Sequence, residues 1–203
     1  MSGYSLSHAN RNLSALIGSR ICHDLIGPVG AITNGLELLS LSGVPEGPEM
    51  TLVQSSAAGA NARIRFLRIA FGLASAGQMV SEHEVHDILD DVYTAKIKVR
   101  WAIPDALDRR LTQAGFLGLL CVESIVPYGG DITVTHRGNQ MEITARSDRS
   151  AAPGIAWAYV SGTAPPADLA ASDVQFALLP ALLETLNRAA EITQDDTCVT
   201  LRF

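Results

Sequence analysis

Ile21-Cys22-His23-Asp24-Leu25-Ile26-Gly27-Pro28-Val29 sets a histidine–acid pair inside a long amphipathic helix, on the side away from its apolar residues. From Leu13 onward, Ile17, Ile21, Leu25, Val29, Ile32, Leu36 and Leu39 recur every three or four positions, the period of one helical stripe. At about 100° per residue, His23 falls roughly 160° from the middle of that stripe. It shares its face with Asn12, Leu16, Arg20, Gly27, Gly30 and Asn34. A histidine so placed faces solvent or a partner. Glycine inside a helix costs about 1 kcal/mol against alanine, so Gly27 and Gly30 on this face point to close approach by another molecule. Pro28 deprives the Asp24 carbonyl of its helical donor. These departures from ordinary helix design cluster around one imidazole, as expected at a functional site.

The helix is expected over 5–41 and stops at the glycine- and proline-rich turn Ser42-Gly43-Val44-Pro45-Glu46-Gly47-Pro48. A second helix is expected over 49–76. There Val53, Ala57, Ala60, Ile64, Leu67, Phe71 and Ala74 step as a heptad seam, and Phe66, Ile69 and Leu73 form a second stripe. A lone hairpin cannot cover both stripes, so the economical arrangement is a four-helix bundle built by two chains, a homodimer.

The remaining sequence changes period. Helices are expected over 82–95, 108–126 and 174–190, the last with Pro180 inside it. Strands are expected over 96–103, 131–136, 140–145 and 197–203, the middle two joined at Arg137-Gly138-Asn139. The segment 149–172 is irregular apart from a short element at 155–160; its stretch 151–171 reads more readily as slack chain than as a variable surface. The fold class is α+β. A helical hairpin (1–78) precedes an α/β sandwich (79–203) with helices on one face of a mixed sheet.

Composition sets bounds. The 203 residues are 47% hydrophobic and 18% charged, which suits a folded chain. A net charge of −6 without a basic tract speaks against nucleic acid as a partner. No apolar run approaches the ~18–20 residues that cross a bilayer, the N-terminus lacks a secretion signal, and three scattered cysteines read as reduced thiols. A cytoplasmic protein with no membrane partner is expected. His83 and His86 lie among Glu82, Glu84, Asp87 and Asp90, but no third and fourth zinc ligand is signalled, so this reads as an acidic helix start rather than a metal site. Cys22, toward the edge of the stripe, reads as a packed thiol.

Imidazole in its neutral form accepts a phosphoryl group near neutral pH. Asp24 is the adjacent acid, able to orient the ring, and Arg20, one turn before His23, could neutralise phosphoryl oxygens. The run Ser19–Leu39 closely resembles the histidine box of the ChpT-type histidine phosphotransferases of alphaproteobacteria, and Arg68-Ile69-Ala70-Phe71-Gly72 resembles that family's second signature. Gly27 departs from it, because relatives commonly carry serine there.

The resemblance implies a dimeric bundle like a histidine-kinase dimerisation domain, followed by a degenerate relative of the kinase ATP-binding domain. It implies His23 as phosphoacceptor with Asp24 beside it, charged by the receiver aspartate of a hybrid kinase and discharged onto response-regulator receivers. Receivers would dock near Leu16, Arg20, Gly27, Gly30 and Asn34 and would bring their own Mg²⁺. The chain itself would hold no cofactor or metal. Glu123 stands where the kinase asparagine is expected, Ser147-Asp148-Arg149-Ser150 lacks the adenine-turn glycines, and no Gly-x-Gly lid follows. ATP binding is therefore not expected. The competing expectations are an ATP-dependent sensor-type kinase, separable by nucleotide titration, and a non-catalytic dimeric scaffold that would bind receivers equally well after His23→Ala.

Overall fold

The computed structural model describes residues 3–43, 47–75, 77–94, 96–148, 154–162, 169–195 and 197–203; within the first helix the side chains of residues 3–17, 19–21 and 24 lie outside that description. The chain divides into two compact units, Met1–Leu73 and Ala74–Phe203.

The first unit is a helical hairpin. Helix α1 spans Gly3–Leu41 and runs through Pro28 without interruption. Helix α2 spans Pro48–Phe71, with Pro48 at its first turn and Glu49 close behind, where a fixed φ and a negative charge favour a helix start. It ends five residues earlier than the apolar period suggests. Gly72 turns to an extended conformation while its N–H still caps the Arg68 carbonyl.

The inward face of α1 also differs from the expected stripe. Gly18, Cys22, Ile26, Val29, Thr33, Leu36 and Ser40 are buried or half-buried, whereas Leu25 (46% exposed), Ile32 (52%) and Leu39 (45%) point outward. Of the expected stripe only Val29 and Leu36 belong to the inner row; Leu13, Ile17 and Ile21 lie outside the described side chains. The apolar residues of α1 span two adjacent rows, so a single stripe drawn through them falls between the two.

Two contacts set the register of the hairpin. The Gln54 side-chain amide donates to the Ser40 hydroxyl at 3.0 Å. A Cβ on Gly18 would stand 3.2 Å from the Phe71 carbonyl oxygen, so the two backbones meet where α1 has no side chain. The α1-facing side of α2 carries Ala57, Ile64 and Phe71 from the expected seam, while Val53 stays 47% exposed. Phe66, Ile69 and Ala70 form a second buried row, and Leu73, past the helix end, is exposed.

The second unit is an α/β sandwich. A short ladder pairs β1 (Met79–Val80) antiparallel with β3 (Leu107–Asp108). The main sheet contains β2 (Ile97–Ala102), β4 (Gly130–Arg137), β5 (Gln140–Arg146), β6 (Glu191–Gln194) and β7 (Cys198–Arg202) in the order β2-β4-β5-β7-β6. Only β2 and β4 run parallel. Among the described residues the unit also holds helices α3 (Glu82–Val92), α4 (Arg109–Glu123), α5 (Trp157–Val160) and α6 (Val174–Thr185), the last preceded by a 3₁₀ turn at Ala171–Asp173.

Local chemistry explains the helix starts. The Ser81 hydroxyl accepts from the Glu84 N–H and caps α3; the Asp108 carboxylate accepts from the Arg110 and Leu111 N–H groups and caps α4. Helix α4 lies on β5 and β7 and against α6. Two glycines allow this approach. A Cβ at Gly115 would come 2.8 Å from the Trp101 ring, and one at Gly118 would collide with Ile143. The covered sheet face carries Trp101, Ile132, Val134, Met141, Ile143, Val199 and Leu201, all buried. The other face is polar, with Arg100, Thr133, Thr144, Thr200 and Thr193 in one row across the strands.

Helix α3 ends at Val92 and α6 at Thr185, short of expectation. The left-handed Asn187 (φ 55°) terminates α6, and the Arg188 N–H returns to the Leu183 carbonyl at 2.9 Å. The residues beyond form β6, whose Glu191-Ile-Thr-Gln194 contains a single apolar side chain and so carries no strand period.

Candidate functional site

His23 lies on α1 with its side chain exposed. It is about 100° around the helix from Cys22, the buried member of the inner row, and about 160° from Leu25 in the outer row. Both apolar rows therefore leave the imidazole clear. Gly27 is exposed, Gly30 half-buried and Asn34 exposed on the same face. A Cβ at Gly27 or Gly30 would meet nothing within 4 Å, so packing inside this chain does not require either glycine. The helical phase of Leu16, Arg20 and Asp24 follows from α1, but their side chains lie outside the described residues.

Directly behind the histidine is Cys22, 6% exposed. Burial pushes its thiol pKa up, and the positive charge of Arg68 offsets part of that shift. Arg68 belongs to the last turn of α2, where the partial negative charge of the helix end favours a cation. The sequence offers Arg20 as the nearby cation, with a solvated helix charge as the equal alternative, and shows Arg68 only as part of a signature. Which residue of α2 stands across from His23 depends on the hairpin register, and that is not written in the period of either helix.

In the second unit, two aromatic side chains bond to the end of α4. The Tyr93 hydroxyl donates to Glu123 Oε2 at 3.2 Å. The Trp157 indole N–H donates to the Ser124 hydroxyl at 3.3 Å, while its ring meets Phe176 edge-on at 5.5 Å and is 5% exposed. His83 leans on Asp87 and His86 on Glu82, each at 3.5 Å as exposed pairs one turn apart. Among the described residues no three His, Cys, Asp or Glu side chains gather as metal ligands would. No helix among the described residues is long and apolar enough to cross a membrane.

Comparison with known proteins gives the family. The family described as "Histidine phosphotransferase C-terminal domain" matches residues 82–197, more than half of the chain. The chain belongs to the histidine phosphotransferase family. A relative named "Protein phosphotransferase ChpT", from Brucella abortus (strain 2308), is 36% identical over 171 residues, 81% of each chain. A solved structure titled as a bacterial phosphotransferase superposes with a TM-score of 0.69 at 30% identity, covering 94% of this chain and 95% of the other. That match extends the likeness of this histidine phosphotransferase across the hairpin as well as the sandwich. A histidine kinase domain from Erythrobacter litoralis superposes at a TM-score of 0.44 and 12% identity, over 87% and 95% of the two chains.

Proposed function

We propose that this histidine phosphotransferase relays phosphoryl groups through His23, from the receiver aspartate of a hybrid kinase to the receivers of response regulators. The observation that carries the reading is an exposed imidazole on a helix face clear of both apolar rows, flanked by Gly27 and Gly30 with open space above them.

The step balances simply. The unprotonated ring nitrogen of His23 attacks phosphorus and an N–P bond forms. The aspartyl O–P bond breaks, and the electron pair leaves on the receiver carboxylate. The other ring nitrogen keeps its proton, so the phosphorylated imidazole is cationic and energetic enough to pass the group on. Asp24 would steady that cation, and the receiver would supply the Mg²⁺ that neutralises the transferring oxygens. Leu16, Arg20, Gly27, Gly30 and Asn34 form the docking face.

The working form is a homodimer. Leu25, Ile32 and Leu39, seven residues apart, leave an apolar row uncovered on the single chain, and Leu52 (66% exposed) and Val53 add to it on α2. Covering these positions with the same row of a second chain completes a four-helix bundle and leaves both histidines outside. The phosphate comes from another protein rather than ATP. The seating of Trp157 on Ser124 and of Tyr93 on Glu123 supports that reading, because both fill the end of α4 with side chains. The setting is the cytoplasm, where receivers reside.

One pair of incubations separates relay from kinase. With γ-labelled ATP and Mg²⁺ the protein alone should stay unlabelled. With a labelled receiver it should acquire acid-labile, base-stable phosphate, and a second, unlabelled receiver should remove it. Label arriving from ATP alone would overturn the relay reading.

A further inference from the structure

We infer that Arg68 of α2 is the residue of this chain that clamps the transferring phosphoryl group at His23, a contact for which the sequence offers Arg20; the inference rests on His23 being the acceptor.

Three observations converge on Arg68. The first is height along the hairpin. Measured from the Gly18–Phe71 contact, His23 lies five residues along α1 and Arg68 three residues along the antiparallel α2. At about 1.5 Å per residue these positions differ by about 3 Å. Measured from the Ser40–Gln54 hydrogen bond, at the other end, the offset is about 4.5 Å in the opposite sense. The two anchors bracket His23, so Arg68 is level with it to within one helical turn.

The second is the face. Arg68 follows Ile64 by one turn and precedes Phe71 by three residues, both on the side of α2 that meets α1. Unlike Ile64 it is exposed, so it sits at the rim of the helix pair rather than inside it. Its charge is felt at the Cys22 thiol, the residue next to His23. A long side chain at this height, on the edge of the helix pair, is within reach of the surface around His23.

The third is charge distribution. Residues 1–73 hold five arginines and four carboxylates, whereas residues 74–203 hold ten basic and seventeen acidic side chains. Within the hairpin the charges are further sorted. By sequence position all five arginines, Arg11, Arg20, Arg63, Arg65 and Arg68, fall in the His23 half with a single carboxylate, Asp24, and Glu37, Glu46 and Glu49 fall toward the turn. The chain is acidic overall yet basic where the phosphate would sit. A guanidinium there offers two parallel N–H donors to phosphoryl oxygens, a geometry that lysine lacks.

The test uses the full chain with a hybrid-kinase receiver carrying labelled phosphate on its aspartate, followed by rapid quench over a range of receiver concentrations. Arg68→Gln should lower the saturating transfer rate about ten- to hundredfold, the range expected for one charge-assisted contact to a phosphoryl group. The half-saturating receiver concentration should move by less than about threefold, since a single rim charge adds little to a whole docking surface. Arg68→Lys should restore part of the rate. Helix content by circular dichroism should match wild type in both variants. An unchanged rate in Arg68→Gln overturns the inference, and so does a large loss in Arg20→Gln with none in Arg68→Gln. A loss that lysine does not relieve, accompanied by lower helicity, assigns Arg68 a structural role and also overturns it. Failure of the acceptor reading looks different: His23→Ala would then still take up label, whatever the Arg68 variants do.

Discussion

Replacing Ile32 by glutamate should split the proposed dimer while leaving the hairpin folded. On the single chain Ile32 is 52% exposed, with Leu25 at 46% and Leu39 at 45% one heptad away on either side. Full burial of such a side chain stabilises by about 1.5–3 kcal/mol, so covering the exposed half contributes about 1 kcal/mol. The row supplies three such residues per chain, hence about 6 kcal/mol across two chains. Association costs about 4–15 kcal/mol before any gain appears, so the margin depends on this row together with Leu52 and Val53. Ile32→Glu removes about 2 kcal/mol over both copies and also asks two like charges to lose water at the seam, about another 2 kcal/mol or more. A loss of at least about 4 kcal/mol weakens dimerisation about a thousandfold. Sedimentation equilibrium at micromolar concentration reads this directly. The expected result is a dimer for wild type and a monomer for Ile32→Glu, with Leu41→Glu as control; Leu41 is 78% exposed but lies off the row and should remain dimeric. A wild-type monomer, or an Ile32→Glu variant that stays dimeric, would refute the reasoning.

Three further outcomes test other parts of the account. Gly118→Val should lower stability by about 1–3 kcal/mol, because its side chain would press on Ile143 and on Leu201, already 3.4 Å from an ideal Cβ; a thermal melt checks this. Asp108→Ala should cost about 1 kcal/mol by leaving the first N–H groups of α4 without their carboxylate, and Asp108→Asn should recover most of it in urea unfolding. His136 carries a pKa lowered from its ordinary value of 6.5, by burial first and then by the charge of Arg188. The unfolded chain therefore takes up its proton at higher pH than the folded one, so this contribution to stability is present above 6.5 and is lost as pH falls through the folded value. His136→Gln should flatten the acid side of the urea-midpoint profile, and an unchanged slope would remove His136 as its source.

Much of this molecule is legible in its sequence where period and chemistry coincide. The end of α1 at Leu41, the start of α2 at Pro48, the hairpin around Gly138 and the alternation of Ile132 and Val134 against Met141 and Ile143 all follow from local rules. The exposure of His23 follows from helical phase alone. What escapes is of another kind. The ladder of β1 with β3 is two residues long, too short for any period. The end of α2 at Phe71 depends on Gly72 turning out of the helix while the apolar spacing continues past it. In α1 the difficulty is an excess of signal: Leu25, Ile32 and Leu39 continue the same apolar pattern as Val29 and Leu36, yet the first set is exposed on the single chain and the second is half-buried. The place of Arg68 needed the hairpin register, which rests on a glycine at residue 18 and one hydrogen bond between Gln54 and Ser40.

The central claim is that His23 alone carries the phosphate. It is tested most directly by mixing wild type and His23→Ala separately with a receiver bearing labelled aspartyl phosphate, then mapping the label by mass spectrometry under neutral conditions. The account predicts one phosphoryl group on His23 of the wild type, lost in dilute acid, and none on the variant. Label on His23→Ala, or on any residue other than His23 in the wild type, would contradict it.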